Sequence, residues 1–141
     1  ARDAMERAVN PDQEGVLDDN QLFILSMAAL LNQQLGYEEL AAERLASAER
    51  ALHRARVNGV DDPGIYYNEA IIHILKGEKQ VALDSLEQAF ERGWREAWVL
   101  KIDGRLDPVR EDSRFIDLTQ KMQDMLERAR SEVSELKVAW R

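Results

Sequence analysis

The stretch ILSMAALLNQQLGYEELAAERLASA, residues 24–48, returns at residues 65–89 as IYYNEAIIHILKGEKQVALDSLEQA, a shift of 41 positions. Ile24/Ile65, Ala29/Ala70, Gly36/Gly77, Ala41/Ala82, Leu45/Leu86 and Ala48/Ala89 are identical, and Leu30/Ile71, Leu31/Ile72, Leu40/Val81 and Glu43/Asp84 are conservative pairs. A self-match at one fixed period means that one supersecondary unit is used twice, because a unit that cannot bury its apolar face alone is stacked on its neighbour. Stacked units present extended surfaces to partners, so the repeat predicts an interaction module.

Working outward, apolar residues at 22, 25, 29 and 30 follow helical spacing and predict helix A of the first unit over about residues 20–34, behind N-cap candidates Asp18, Asp19 and Asn20. Gly36 supplies the permissive backbone at its end. Helix B, about residues 37–56, turns Leu40, Ala41, Leu45, Ala48 and Leu52 inward, and Asn58-Gly59 stops it. Asp62 followed by Pro63 reads as an N-cap and a first-turn proline, launching the second unit. Its helix A covers about residues 63–75, and its helix B, about residues 78–92, has Val81, Ala82, Leu86 and Ala89 inward and Gly93 as its stop. The seven residues by which the first unit exceeds a 34-residue hairpin are expected in helix B and its following loop.

Beyond Gly93 the repeat degenerates. Trp94, Trp98, Leu100 and Ile102 predict a short apolar helix at about residues 95–102, and Leu106-Asp107-Pro108-Val109 a compact turn pinned to the core. Asp112 is the expected N-cap of a last helix of about 29 residues, whose Phe115, Leu118, Met122, Met125, Leu126, Ala129, Val133, Leu136 and Trp140 form one near-heptad stripe. Residues 2–9 read as a short helix ended by Asn10-Pro11. The expected architecture is all-α, a single domain over residues 1–141: antiparallel hairpins at about 20–57 and 63–93, stacked as a short right-handed solenoid, then a degenerate third unit and long capping helix at about 94–141.

The 141 residues are 45% hydrophobic and 33% charged, which fits a folded domain and neither a disordered nor a fibrous chain. A net charge of −8 argues against direct contact with nucleic acid, which needs a basic face, and favours solubility. There is no cysteine, hence no disulfide, thiolate metal site or cysteine nucleophile. No run approaches the length of a membrane span, so no membrane contact is expected within this segment. The first residue is Ala, which suggests a piece of a longer chain; the compartment stays open between the cytoplasm and, behind an upstream anchor, the periplasm.

Small residues on helix A (Ala29, Ala70), glycines at the bend and the small-large-small triplets Ala41/Leu45/Ala48 and Ala82/Leu86/Ala89 let two helices approach closely. The pattern resembles the tetratricopeptide repeat. Ala29 and Ala70 fall at that family's Gly position, Ala41 and Ala82 at its first Ala, Leu45 and Leu86 at its Phe, Ala48 and Ala89 at its last Ala, and Leu25 and Tyr66 at its Trp. Asn32 and His73 replace its Tyr, and no Asn-Pro closes either unit. Residues 82–94 with 106–115 also look like the terminal tetratricopeptide segment of large bacterial signalling or regulatory proteins, in which a nucleotide cyclase, a winged-helix DNA-binding domain or a protein kinase lies upstream.

That resemblance implies a concave groove lined by helix A residues: Phe23, Ser26, Leu30, Gln33 and Gln34 from the first unit, and Tyr67, Asn68, Ile71, Ile74 and Leu75 from the second. Ser26 and Leu30 stand where the family's carboxylate-binding members have Lys and Asn, so the expected partner is a protein or peptide held by apolar burial and side-chain amides, or an upstream domain of the same chain. The alternative for Phe23, Tyr67, Ile71 and Ile74 is packing against the N-terminal or the long C-terminal helix. His73 reads as a core histidine, and His53 with Arg50, Arg54 and Arg56 as a solvated basic face. No nucleophile elbow, zinc-binding helix motif or phosphate-binding loop occurs, so neither catalysis nor a cofactor or metal is expected. The competing expectation is a homodimer through Val133, Leu136 and Trp140.

Overall fold

The computed structural model of the protein describes residues 19–140, which are almost wholly helical and contain no strand. The chain divides into two compact units between Trp94 and Arg95. The helix expected at residues 2–9, and the cap candidate Asp18, lie outside the described residues.

The first unit consists of two hairpins, α1 (Asp19–Gln34) with α2 (Glu38–Val57) and α3 (Pro63–Leu75) with α4 (Lys79–Glu91). Residues 35–37 and 76–78 are the only links within the hairpins, and a connection that short returns the chain antiparallel. Gly36 and Gly77 make it possible: their φ values of 78° and 82° belong to the left-handed region that a Cβ disfavours. Tyr37 N–H then donates to Asn32 C=O, and Glu78 N–H to His73 C=O, both at 2.8 Å, occupying carbonyls that the helix end would leave orphaned. The same backbone bond closes α2 (Val60 to Ala55, 3.0 Å) and α4 (Trp94 to Ala89, 2.9 Å).

The period of the repeat resolves into two registers. Helix α2 has 20 residues and α4 has 13, so all seven extra residues are helical and none lies in the loop. Seven residues make close to two turns, and the inward face returns only about 20° out of phase. Accordingly α2 carries the small-large-small triplet twice, as Ala41/Leu45/Ala48 and Ala48/Leu52/Ala55, and every one of these residues is buried, as are Ala82, Leu86 and Ala89 of α4. The starts of α2 and α4 match at 41 residues, whereas their ends, Ala55/Ala89 and Gly59/Gly93, match at 34. Leu40 and Val81, expected inward, are 45% and 47% exposed. Each precedes its inner alanine by one residue, about 100° around a helix of 3.6 residues per turn.

Helix α3 is the centre of this unit and packs on α1, α2 and α4. Asp62 caps it by accepting from Gly64 N–H at 2.6 Å, and Pro63 takes the first position, where no hydrogen-bond donor is needed. Gln33 Nε2 donates to Leu75 C=O at 2.7 Å, so the last turns of α1 and α3 lie together and the two helices run the same way. Arg56–Glu69 and Lys76–Glu49, each 2.6 Å, tie α3 to α2. Tyr66 lies between the guanidinium groups of Arg56 (5.4 Å) and Arg92 (4.4 Å), and Arg92 pairs with Asp61. Trp94, delivered by the closing turn of α4, stacks on Tyr67 with 4.4 Å between ring centroids and on Phe90 at 5.8 Å.

The second unit has α5 (Ala97–Ile102), a 3-10 turn (Gly104–Val109) and α6 (Ser113–Ala139). Helix α5 starts 34 residues after α3, in register with the helix ends, but stops after six residues. A buried ion pair marks its end: Arg105 Nε donates to Asp103 Oδ1 at 2.9 Å and its terminal nitrogen to Oδ2 at 2.6 Å. Arg110 donates to the carbonyls of Leu100 and Asp103, both at 2.7 Å, so a side chain satisfies backbone groups left at the end of α5. Leu106 and Val109 are fully buried, as the turn motif predicts. Asp112 caps α6 through Arg114 N–H at 2.9 Å, and Phe115, Leu118 and Met122 are buried on it. From Glu127 to Trp140 every residue of that helix is exposed.

Candidate functional site

Of the ten groove residues expected on α1 and α3, the structure buries Ser26, Tyr67, Asn68, Ile71, Ile74 and Leu75. Phe23 and Gln34 are exposed, and Leu30 and Gln33 half-buried. The polar members have internal bonds. Ser26 Oγ donates to Phe23 C=O at 3.0 Å, Asn68 Nδ2 to Gly64 C=O at 3.0 Å, and Gln33 Nε2 to Leu75 C=O. Of the side-chain amides, Gln33 links α1 to α3, Asn68 bonds back within α3, and Gln34 is exposed. Among the described residues, what remains open is one side of α1, which carries apolar residues not assigned to the groove.

The open side of α1 is defined by its counterpart. On α3, Ile65, Glu69, Ile72 and Lys76 lie three or four residues apart on one face, and Glu69 and Lys76 both pair with α2. Ile72 between them is 2% exposed. The residues 41 positions earlier on α1 are Ile24, Ala28, Leu31 and Leu35. There Leu31 is 45% and Leu35 68% exposed, with Tyr37 and Leu40 exposed beside them at the turn. Phe23 is exposed as well, about 100° further around α1. The signal of the open side in the sequence was the composition of α1 itself, apolar around its whole circumference, a pattern that calls for neighbours on every side.

The corresponding turn of the second hairpin is ionic. Lys76 is held above the usual ammonium pKa, first by its hydrogen bond to Glu49 and then by Glu78. Glu78 is held below the usual carboxylate range, first by its hydrogen bond to His73 and then by Lys76. His73 is therefore a half-buried partner of Glu78 at the helix end, not a core residue, because the turn brings Glu78 back over it. His53, Arg50, Arg54 and Arg56 are all exposed.

In the second unit Val133, Leu136 and Trp140 are exposed, the last at 89%. A shallow cleft between α5 and α6 is lined by Trp98, Lys101, Gln123, Leu126 and Arg130. The described residues contain no group of three or more acidic or histidine side chains able to hold a metal, and no helix among them is long and apolar enough to cross a membrane. Compared with protein-family models, with characterised proteins and with solved structures, the chain matches none.

Proposed function

We propose that this chain is a non-catalytic interaction module built from tetratricopeptide-like hairpins, and that its partner surface is the open side of α1, where an amphipathic helix of a partner protein or of an upstream domain docks. The observation that carries the reading is the stripe Ile24, Ala28, Leu31 and Leu35, whose equivalent on α3 is covered by α2. The covered repeat supports reading the partner of the other as a similar element, a helix with alanine at the contact and charged flanks. The pairing of α1 with α3 and of α2 with α3, the 34-residue register of the helix ends and the alanines on the inner faces support the hairpin-stack reading. The stripe carries no charge, so burial drives the association.

The test uses a fluorescently labelled synthetic peptide of residues 38–57 added to the intact chain. Saturable binding by anisotropy is expected, reduced at least tenfold by Leu31→Glu with Leu35→Glu while helicity is unchanged. Binding equal in wild type and double variant, or none, would falsify the assignment.

A further inference from the structure

We infer that a second copy of this chain pairs with the exposed end of α6, in a parallel, in-register, two-stranded coil over residues 126–140. Met122, Leu126, Ala129, Val133, Leu136 and Trp140 follow one another at alternating steps of four and three, the spacing of a and d positions in a heptad. The stripe starts buried, at Met122, and from Ala129 onward runs fully into solvent. The cleft against α5 is lined on α6 by Gln123, Glu127, Arg130 and Ser134, and of the stripe only Leu126 reaches it, so from Ala129 onward the seam is clear of α5.

The seam is complementary to itself in one orientation. With Leu126, Val133 and Trp140 at a and Ala129 and Leu136 at d, Glu132 takes a g position and Arg130 and Lys137 take e positions. In a parallel pair each g faces the e of the following heptad, so Glu132 meets Lys137 of the second copy, twice by symmetry. In an antiparallel pair e faces e, which sets Arg130 and Lys137 against their own kind. A β-branched Val133 at a followed by Leu136 at d is the combination that favours two parallel strands. Association also starts from a formed helix, because α6 is capped at Asp112 and anchored by Phe115, Leu118 and Met122, so no helix nucleation accompanies pairing.

Sedimentation equilibrium of the full chain from micromolar to millimolar concentration tests this. The expected mass rises from one copy to two, and Val133→Glu with Leu136→Glu holds it at one copy with an unchanged melting temperature, since both residues are exposed. Glu132→Lys and Lys137→Glu each weaken the dimer, and the two together restore it. The chain has no cysteine, so Trp140→Cys under mild oxidation reports orientation: a disulfide-linked dimer is the parallel result. A single copy at every concentration overturns the proposal. So does a dimer that survives the Val133/Leu136 variant, one lost instead with Leu31→Glu and Leu35→Glu, or one in which Trp140→Cys does not cross-link.

Discussion

The two hairpins of the first unit share a backbone plan and differ in what surrounds them. Leu31 and Ile72 occupy the same place in the repeat, yet one is 45% exposed and the other 2%, because α2 lies against α3 while no described helix lies against that side of α1. At the turns the contrast continues, with Leu35 and Tyr37 in the first hairpin where Lys76 and Glu78 stand in the second. Two like hairpins therefore hold two kinds of residue at one repeat position, one buried and one exposed. Leu31 and Leu35 are apolar and exposed, and it is on them that the docking proposal for α1 rests.

The contrast is broken most directly by truncating the paired residues. Ile72→Ala is expected to cost about 2–5 kcal/mol, the range for a buried large-to-small change, whereas Leu31→Ala should cost well under half as much. Equal shifts in urea midpoint would mean that the two positions are not inside and outside. A smaller effect should be the same in both hairpins: Ala41→Leu and Ala82→Leu each overpack the helix contact by about 1–3 kcal/mol, and a melt showing no loss in either would refute the shared close approach. Smaller again, Gly36→Ala and Gly77→Ala should each lose about 1–2 kcal/mol by forcing a Cβ into the left-handed region. A loss in only one of the two would show that the turns are not equivalent.

The smallest effect sharpens the difference between the turns through pH. Glu78 has its folded pKa depressed, so its contribution to stability is present above the ordinary carboxylate value of 4.5 and is lost as pH falls through the lowered one. Lys76 has its folded pKa raised, so its contribution is present below 10.5 and lost as pH climbs past the raised value. Wild type and Glu78→Gln should melt apart at neutral pH and converge in acid. Tyr37→Gln at the equivalent place should add no acid dependence. Both groups are largely solvated, so the shifts in melting temperature will be small.

Much of this was legible beforehand. The hairpin helices begin and end within about two residues of where capping residues, glycines and periodicity put them. The packing alanines and the Asp62 and Asp112 caps are as the spacing implies. Misread were Leu40 and Val81, where a conservative pair suggested a shared interior and is instead a shared surface, and His73, whose inward phase is offset by the turn returning Glu78 onto it. The pair of Asp103 and Arg105 gave no signal, since two charged residues around a glycine read as a solvated helix stop until burial makes their pairing obligatory.

By itself the sequence determined where the chain is helical, where it turns, and that two hairpins repeat, because caps, glycine φ preferences and the 3.6-residue period act over a few residues at a time. Only the tertiary structure decided which copy of a repeated residue is inside. Ile72 and Leu31 have nearly the same local surroundings and differ by the presence of α2, a neighbour supplied by the chain's path through space.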